Sequence, residues 1–242
     1  MSDTQSNSET KNFWLTGKGV LTIALIALGL TALVTFGVVR AVSPAAEGIG
    51  QEATYTDETT DSVCGLGGVA REGSIGSTPD AEWVNHRNIF FPVSEEYGPG
   101  HRDENGVPSC FEHSPRGMMF AAVSYTAMLT NPDQFDGAAL ATPIGPAADT
   151  DSDSSQIIDD VRERFSGEDS AVGGFRLVSY DGDSGVIEVA VTSFDGTNTT
   201  RASLLLAMEW VEGDWKIADD MDEQPVELRE LEDHIGFQQF RA

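Results

Sequence analysis

Lysine is nearly missing from this chain: Lys11, Lys18 and Lys216 are the only three in 242 residues. All lysines and arginines together number 14 against 40 acidic side chains, a net charge of -26. Binding to a nucleic-acid backbone depends on clustered Lys and Arg that displace counterions, so direct nucleic-acid binding is not expected. Histidine is scarce too. His86, His101, His113 and His234 are scattered, with no Ser-His-Asp or Cys-His signature around them, which argues against a catalytic triad. His113 beside Glu112 offers an acid/base pair in name, but adjacent residues need not face one another, and a structural role at a helix entry is the stronger reading. The two cysteines, Cys64 and Cys110, form no Cys-x-x-Cys pair and have no paired histidines with them, so a zinc or redox centre is not indicated. Phosphate-cradling glycine loops of Walker or Rossmann spacing are absent as well, so any ATP-driven step would belong to a partner. The string Asp149-Thr-Asp151-Ser-Asp153 alternates carboxylates as a calcium loop does. However, Ser154 stands where such a loop needs Gly, and Asp160 stands where it needs Glu, so an acidic helix N-cap is preferred. No catalytic residue, cofactor or metal ligand is therefore expected.

Long apolar runs are also missing, with one exception. Gly19 to Val39 is an uncharged stretch of twenty-one residues, and at about 1.5 Å per helical residue it spans a hydrocarbon core of about 30 Å. It exceeds the roughly 7–15 residues of a cleaved signal's apolar region, which favours a retained single-pass anchor in contact with the lipid bilayer through residues 19–39. Lys11 and Lys18 precede the run and Arg40 alone follows it closely, so residues 1–18 are expected to be a short cytoplasmic tail and the remainder extracytoplasmic. Both cysteines then fall where disulfides persist, and a Cys64–Cys110 bond is the preferred pairing over two separate buried thiols. Residues 40–61 are rich in Ala, Gly, Thr and Glu and read as a flexible acidic linker.

Residues 62–113 are punctuated by Gly and Pro and are expected to be a mostly irregular, disulfide-bounded extension, with one strand near Trp83 to Val93. Ser114-Pro115 is a helix-start signal. Met118, Ala121, Ala122, Tyr125, Met128 and Leu129 follow at three- and four-residue steps, predicting an amphipathic helix that Asn131-Pro132 ends, with a shorter one through Leu140. Ser154 or Ser155 is expected to cap another helix whose inner face is Ile157, Ile158, Val161 and Phe165. From Phe175 the period changes to two, predicting a meander of about four antiparallel strands. Ile187, Val189 and Val191 share one face of one strand, and Leu204, Leu206, Met208 and Trp210 share one face of another. The connections carry the Gly and Asx residues of tight hairpins. Residues 221–242 form an acidic C-terminal segment, with a terminal helix expected over Val226 to Ile235.

Two or three helices followed by a curved antiparallel meander that closes on Trp210-Val-Glu-Gly213-Asp214-Trp215-Lys-Ile217 resembles the nuclear-transport-factor-2-like (SnoaL-like) cone fold. The resemblance covers about residues 114–220. It implies an α+β cone-like domain in which the fold-signature residues Trp210 and Trp215 cover the concave sheet while Gly213 and Asp214 make the turn. One anchor plus one external domain of this kind resembles the bitopic assembly subunits of type IV secretion systems. The Cys64-Gly-Leu, Trp83, Gly98-Pro-Gly and Cys110-Phe-Glu-His-Ser-Pro-Arg-Gly117 pieces are similar to anchored proteins of actinobacterial conjugative elements. The resemblance implies a structural or assembly subunit of a conjugative, type IV secretion-like apparatus, acting through contacts with other membrane or secretion-complex proteins. Homo-oligomers are left open, through the domain rather than the anchor, since the apolar run has no Gly-x-x-x-Gly motif. The alternative is an anchored SnoaL-like enzyme or ligand-binding domain, for which a deep cavity with convergent polar groups would speak.

Overall fold

The computed structural model describes residues 62, 64–86, 89–135, 137–144, 159–161, 163–165, 169–218 and 226–240. The tail, the apolar run 19–39 and the linker 40–61 lie outside the described residues, as do Ile157, Ile158 and the Asp149–Asp153 string. Among the described residues no helix is long and apolar enough to cross a membrane. The described residues belong to one compact α+β unit.

Its centre is helix α1 (Pro115–Leu129). Ser114 caps it, with Oγ accepting from Gly117 N–H at 3.1 Å, and Pro115 supplies the preset first-turn φ. At the far end the Asn131 side chain donates to Ala127 C=O at 2.8 Å before Pro132 stops the helix. The predicted apolar stripe is buried, but so is every other residue of α1 except Arg116. Its amphipathic pattern is thus only part of the truth: Met119, Phe120 and Val123 are buried on the remaining faces. A helix apolar all round must be covered on more than one side. Here one side meets the sheet and another meets the disulfide-bounded extension. The 3-10 turn Pro132–Gln134 and the short α2 (Gly137–Ala141) follow. Residues 159–161 and 163–165 are helical, with Val161 and Phe165 buried.

The extension is less irregular than its Gly/Pro content predicts. β1 (Glu82–His86) and β2 (Ile89–Val93) form an antiparallel hairpin where one strand was expected, and β3 (His101–Arg102) pairs with β4 (Pro108–Ser109).

The main sheet contains β5 (Asp169–Tyr180), β6 (Ser184–Phe194), β7 (Thr199–Val211), β8 (Asp214–Ile217) and β9 (Val226–Glu230). β5, β6, β7 and β8 are successive antiparallel neighbours, and β9 also pairs with β7. β7 is long enough for its far edge to take β8 at Met208–Val211 and β9 at Ala202–Leu206. β5 begins six residues earlier than the change of period suggests, and two register shifts between Val172 and Gly174 and between Leu177 and Ser179 bend it against β6. The expected C-terminal helix is a correction: Val226–Glu230 is a strand. Its five residues meet the unpaired backbone groups of β7, and that demand outweighs the helical spacing of Leu228, Leu231 and Ile235.

The inner face of the sheet carries Phe175, Ile187, Val189, Val191, Leu204, Leu206, Met208 and Ile217, all buried against α1, as the two-residue period predicts. The outer face carries Arg176, Glu188 and Ser203. Glu188 is buried there, accepting from Ser203 Oγ at 2.6 Å and pairing with Arg176.

Candidate functional site

The residues that the sequence singles out converge at one end of the sheet. Cys64 and Cys110 are disulfide-bonded, with Cα atoms 5.8 Å apart. Cys110 itself sits at φ 71, and Gly98 and Gly100 beside it leave no room for a Cβ: one would lie 2.6 Å from Cys110 O and the other 2.6 Å from its Sγ. The β7–β8 turn is a two-residue reversal in which Glu212 (φ 55) and Gly213 (φ 82) are both left-handed, the geometry of a type I′ hairpin. This turn delivers Asp214 to the disulfide. Asp214 Oδ2 accepts from Cys110 N–H at 2.8 Å, and Oδ1 accepts from Phe111 N–H at 2.9 Å and Trp215 N–H at 3.0 Å. One carboxylate therefore holds two successive amides of the extension to the end of the sheet.

Trp215 extends the clamp. It is fully buried, its indole N–H donates to Glu112 C=O at 2.9 Å, and its own carbonyl accepts from Tyr125 OH at 2.8 Å. Trp210 stacks on the His113 ring at 4.0 Å and 7° between planes, and meets Trp215 edge to face. His113 Nε2 lies 2.9 Å from Gly182 C=O and 3.1 Å from Asp183 Oδ1, and Asp183 in turn pairs with Arg71. Ala70 N–H donates to His113 C=O, and Tyr180 OH donates to Ala70 C=O. The Glu112 carboxylate takes the Ser114 hydroxyl at 2.5 Å, while the imidazole of His113 faces the β5–β6 turn.

The electrostatics fit a clamp. Burial pushes the Asp214 carboxyl above its ordinary value, against the opposing pull of the Cys110 and Phe111 amides, Lys216 and the Trp215 amide. Burial, with the Asp214 charge nearby, raises the Tyr125 phenol well above its ordinary value, so it remains a hydrogen-bond donor. Both Asp214 oxygens, the Tyr125 hydroxyl and the Trp215 N–H are engaged in holding backbone.

Sequence reasoning did not find an open groove of about 890 Å³ on the extension. Residues 77–82 and 93–97 form its walls, and Arg116 at the start of α1 contributes to its lining. Asp80, Glu82, Glu95 and Glu96 give it an acidic rim. Arg116 donates to Tyr97 OH at 2.8 Å and lies over the Tyr97 ring. Burial raises the Tyr97 phenol above its ordinary value, opposed by the Arg116 bond. The available signal was Arg116, the one charged residue in the helix and the one that is not buried. Among the described residues no group of three or more His, Cys, Asp or Glu is placed to hold a metal ion.

Fold and site together define an extracore-clamped α+β domain: a helix wrapped between a five-stranded antiparallel sheet and a disulfide-fastened extension. Residues 43–239 match the family described as Domain of unknown function (DUF8175), and the chain belongs to that family. The match begins just after the apolar run and includes both the extension and the C-terminal strand. No curated protein and no solved structure matches the chain.

Proposed function

We propose that the chain is a membrane-anchored structural subunit of an extracytoplasmic envelope complex, working through protein–protein contacts. The observation that carries this reading is the filling of the sheet's inner face. In a cone-like fold that face is where a small-molecule cavity would open, and here Trp215, Phe175, Phe120, Met118 and Tyr125 occupy it, each less than 2 % exposed. The likeness to the nuclear-transport-factor-2-like cone rests on the helix-then-meander order and on the Trp210–Trp215 hairpin. The disulfide suits an oxidising compartment, and the apolar run 19–39 supplies the anchor, with the N-terminus cytoplasmic. The complex we propose is a conjugative, type IV secretion-like apparatus, with other membrane or secretion-complex proteins as partners, on the sequence resemblance alone.

Affinity purification of the tagged full-length protein from its native membrane, with mass spectrometry of what accompanies it, tests the reading. Recovery of secretion ATPases and other membrane subunits is the expected result, and recovery of the protein alone would overturn it. One observation favours a second reading, small-ligand binding: the groove beside Tyr97 and Arg116 is large enough for a ligand and lies outside the filled core.

A further inference from the structure

The β1–β2 hairpin stops short of its full length. Its ladder ends at Glu82↔Val93, and beyond that pair the two chains part. Ser94 turns back on its own loop: it exchanges N–H and C=O with Gly98 at 3.0 and 2.9 Å, and its Oγ accepts from Glu96 and Tyr97 N–H at 3.3 Å. On the other side, residues 78–81 lead into β1 without helix, turn or ladder. Among the described residues no backbone-to-backbone hydrogen bond reaches them. The groove of about 890 Å³ lies between the parted chains, along the lane in which a strand paired with 78–81 would run. Arg116 is the one cation among the residues that line it, and its guanidinium is drawn onto Tyr97.

We propose that this groove takes an extended basic segment of a partner protein, which pairs as a strand with the edge at 78–82. Pro92 has no N–H, so Trp83↔Pro92 is the pair that exchanges no bonds, and its neighbour Glu82↔Val93 is the pair that does. Counting back by two, Asp80 and Thr78 turn their N–H and C=O groups into the same lane. Pro79, which has no N–H to offer, falls between them. Pro79 also keeps Thr78 in the extended region. Burial alternates with the same period: Pro79 is buried and Ala81 packs on the core, whereas Asp80 and Glu82 are exposed. The wall is therefore preformed for an incoming strand, with main-chain bonds supplying affinity and alternate side chains supplying selectivity. Charge fixes which strand it is. Asp80 and Glu82 on one wall and Glu95 and Glu96 on the other favour Lys or Arg at every second position of the occupant. A chain of net charge -26 is a poor source of such a strand, because two copies repel one another. The partner is thus a different protein, and the inference rests on the subunit reading to that extent.

The test probes an array of immobilised eight-residue peptides of random sequence with the full-length protein in detergent. Retained peptides are expected to carry Lys or Arg at alternate positions. Glu82→Gln with Glu95→Gln is expected to weaken the best peptide roughly 2- to 30-fold, the loss of two cross-strand charge pairs. Enrichment without alternation, or binding that this folded double variant leaves unchanged, would overturn the proposal. The second measurement needs only the wild-type chain. N-methylation of the best peptide at alternate backbone nitrogens leaves its charge intact but removes the donors of one edge. One of the two alternating sets is expected to abolish binding while the other is tolerated. Equal binding by both methylated peptides, or displacement of the peptide by an equal concentration of a free linear diamine, would put a loose cation rather than a strand in the groove and overturn the proposal. Neither readout uses the native membrane complex, so the groove can fail while secretion subunits are still recovered with the protein, and the reverse.

Discussion

Replacing Asp214 with alanine removes the acceptor for three backbone N–H groups at once: those of Cys110, Phe111 and Trp215. Each buried donor left unsatisfied costs about 1–3 kcal/mol. Part of that loss is offset, because the same burial that raises the Asp214 pKa disfavours its charge, and alanine removes the charge. Three stranded donors less that offset give an expected net loss of about 3–5 kcal/mol, which in a domain of this size lowers the melting temperature by roughly 6–20 °C. Asp214→Asn separates the contributions. Its carbonyl oxygen can still serve Phe111 and Trp215, but its amide group faces the Cys110 N–H, so one donor is stranded at about 1–3 kcal/mol. Thermal unfolding of the oxidised full-length protein in detergent, followed by tryptophan fluorescence, reads both variants, since Trp210 and Trp215 sit beside the clamp. The pH dependence gives an independent check. A carboxyl whose pKa is raised by folding contributes most below its ordinary pKa and loses that contribution as the pH rises through the folded value. The gap between wild type and Asp214→Asn is thus expected to widen on acidification. If Asp214→Ala unfolds within about 1 kcal/mol of wild type, near the size of one ordinary hydrogen bond, the clamp reasoning is wrong.

Glu188 is predicted to behave in the opposite sense. Its burial raises the pKa, but the Ser203 hydroxyl, the Arg176 bond and charge, and the Arg229 charge outweigh this and hold it below the ordinary value. Its contribution is present above the ordinary carboxylate pKa and is lost as the pH falls through the folded value, so the deficit of Glu188→Gln is expected to shrink on acidification in the same unfolding assay. Opening the disulfide with Cys64→Ser and Cys110→Ser together frees a loop 46 residues in span and is expected to cost about 4 kcal/mol in the chain-entropy model, measured by denaturant titration. Gly117→Ala should be among the most damaging single changes. Its Cβ would lie 1.9 Å from Glu112 O, the carbonyl that Trp215 uses, and a loss above about 3 kcal/mol is expected despite alanine's better helix propensity. Gly196→Ala has open space but φ 89, so it should cost only about 1 kcal/mol, and equal losses at the two glycines would refute the steric argument.

Strand periodicity was legible because Ile187, Val189 and Val191, and Leu204, Leu206 and Met208, take every second position and all face the core. Hairpin chemistry was legible for a similar reason: Asp195 Oδ1 accepts from Thr197 and Asn198 N–H, and Asp181 Oδ1 from Ser184 N–H, contacts confined to a few residues. What was not legible depends on distant partners. Nothing near Val226 announces that β7 has an unfilled edge, so helical spacing of leucines misled. The Gly173-Gly174 pair did carry a signal, since paired glycines within a strand mark the close approach of another backbone. Its meaning required knowing that Gln238 arrives there.

The clamp and the all-round burial of α1 are two sides of one constraint. The extension covers apolar residues that the sheet cannot reach, including Phe111 and Tyr97 against Tyr125 and Phe120, yet its own strands β3 and β4 are only two residues each. Such short pairs do not hold themselves together. Covalent and electrostatic fastening at Cys110 and Asp214 supplies what the pairing lacks, and both fasteners meet at Cys110, the disulfide through its Sγ and Asp214 through its N–H. Loss of either is therefore expected to expose the same surface, the outer side of α1, and their combined effect in a double-mutant cycle should fall short of the sum of the single effects. Strict additivity of Cys64→Ser with Asp214→Asn would mean that the extension is held elsewhere.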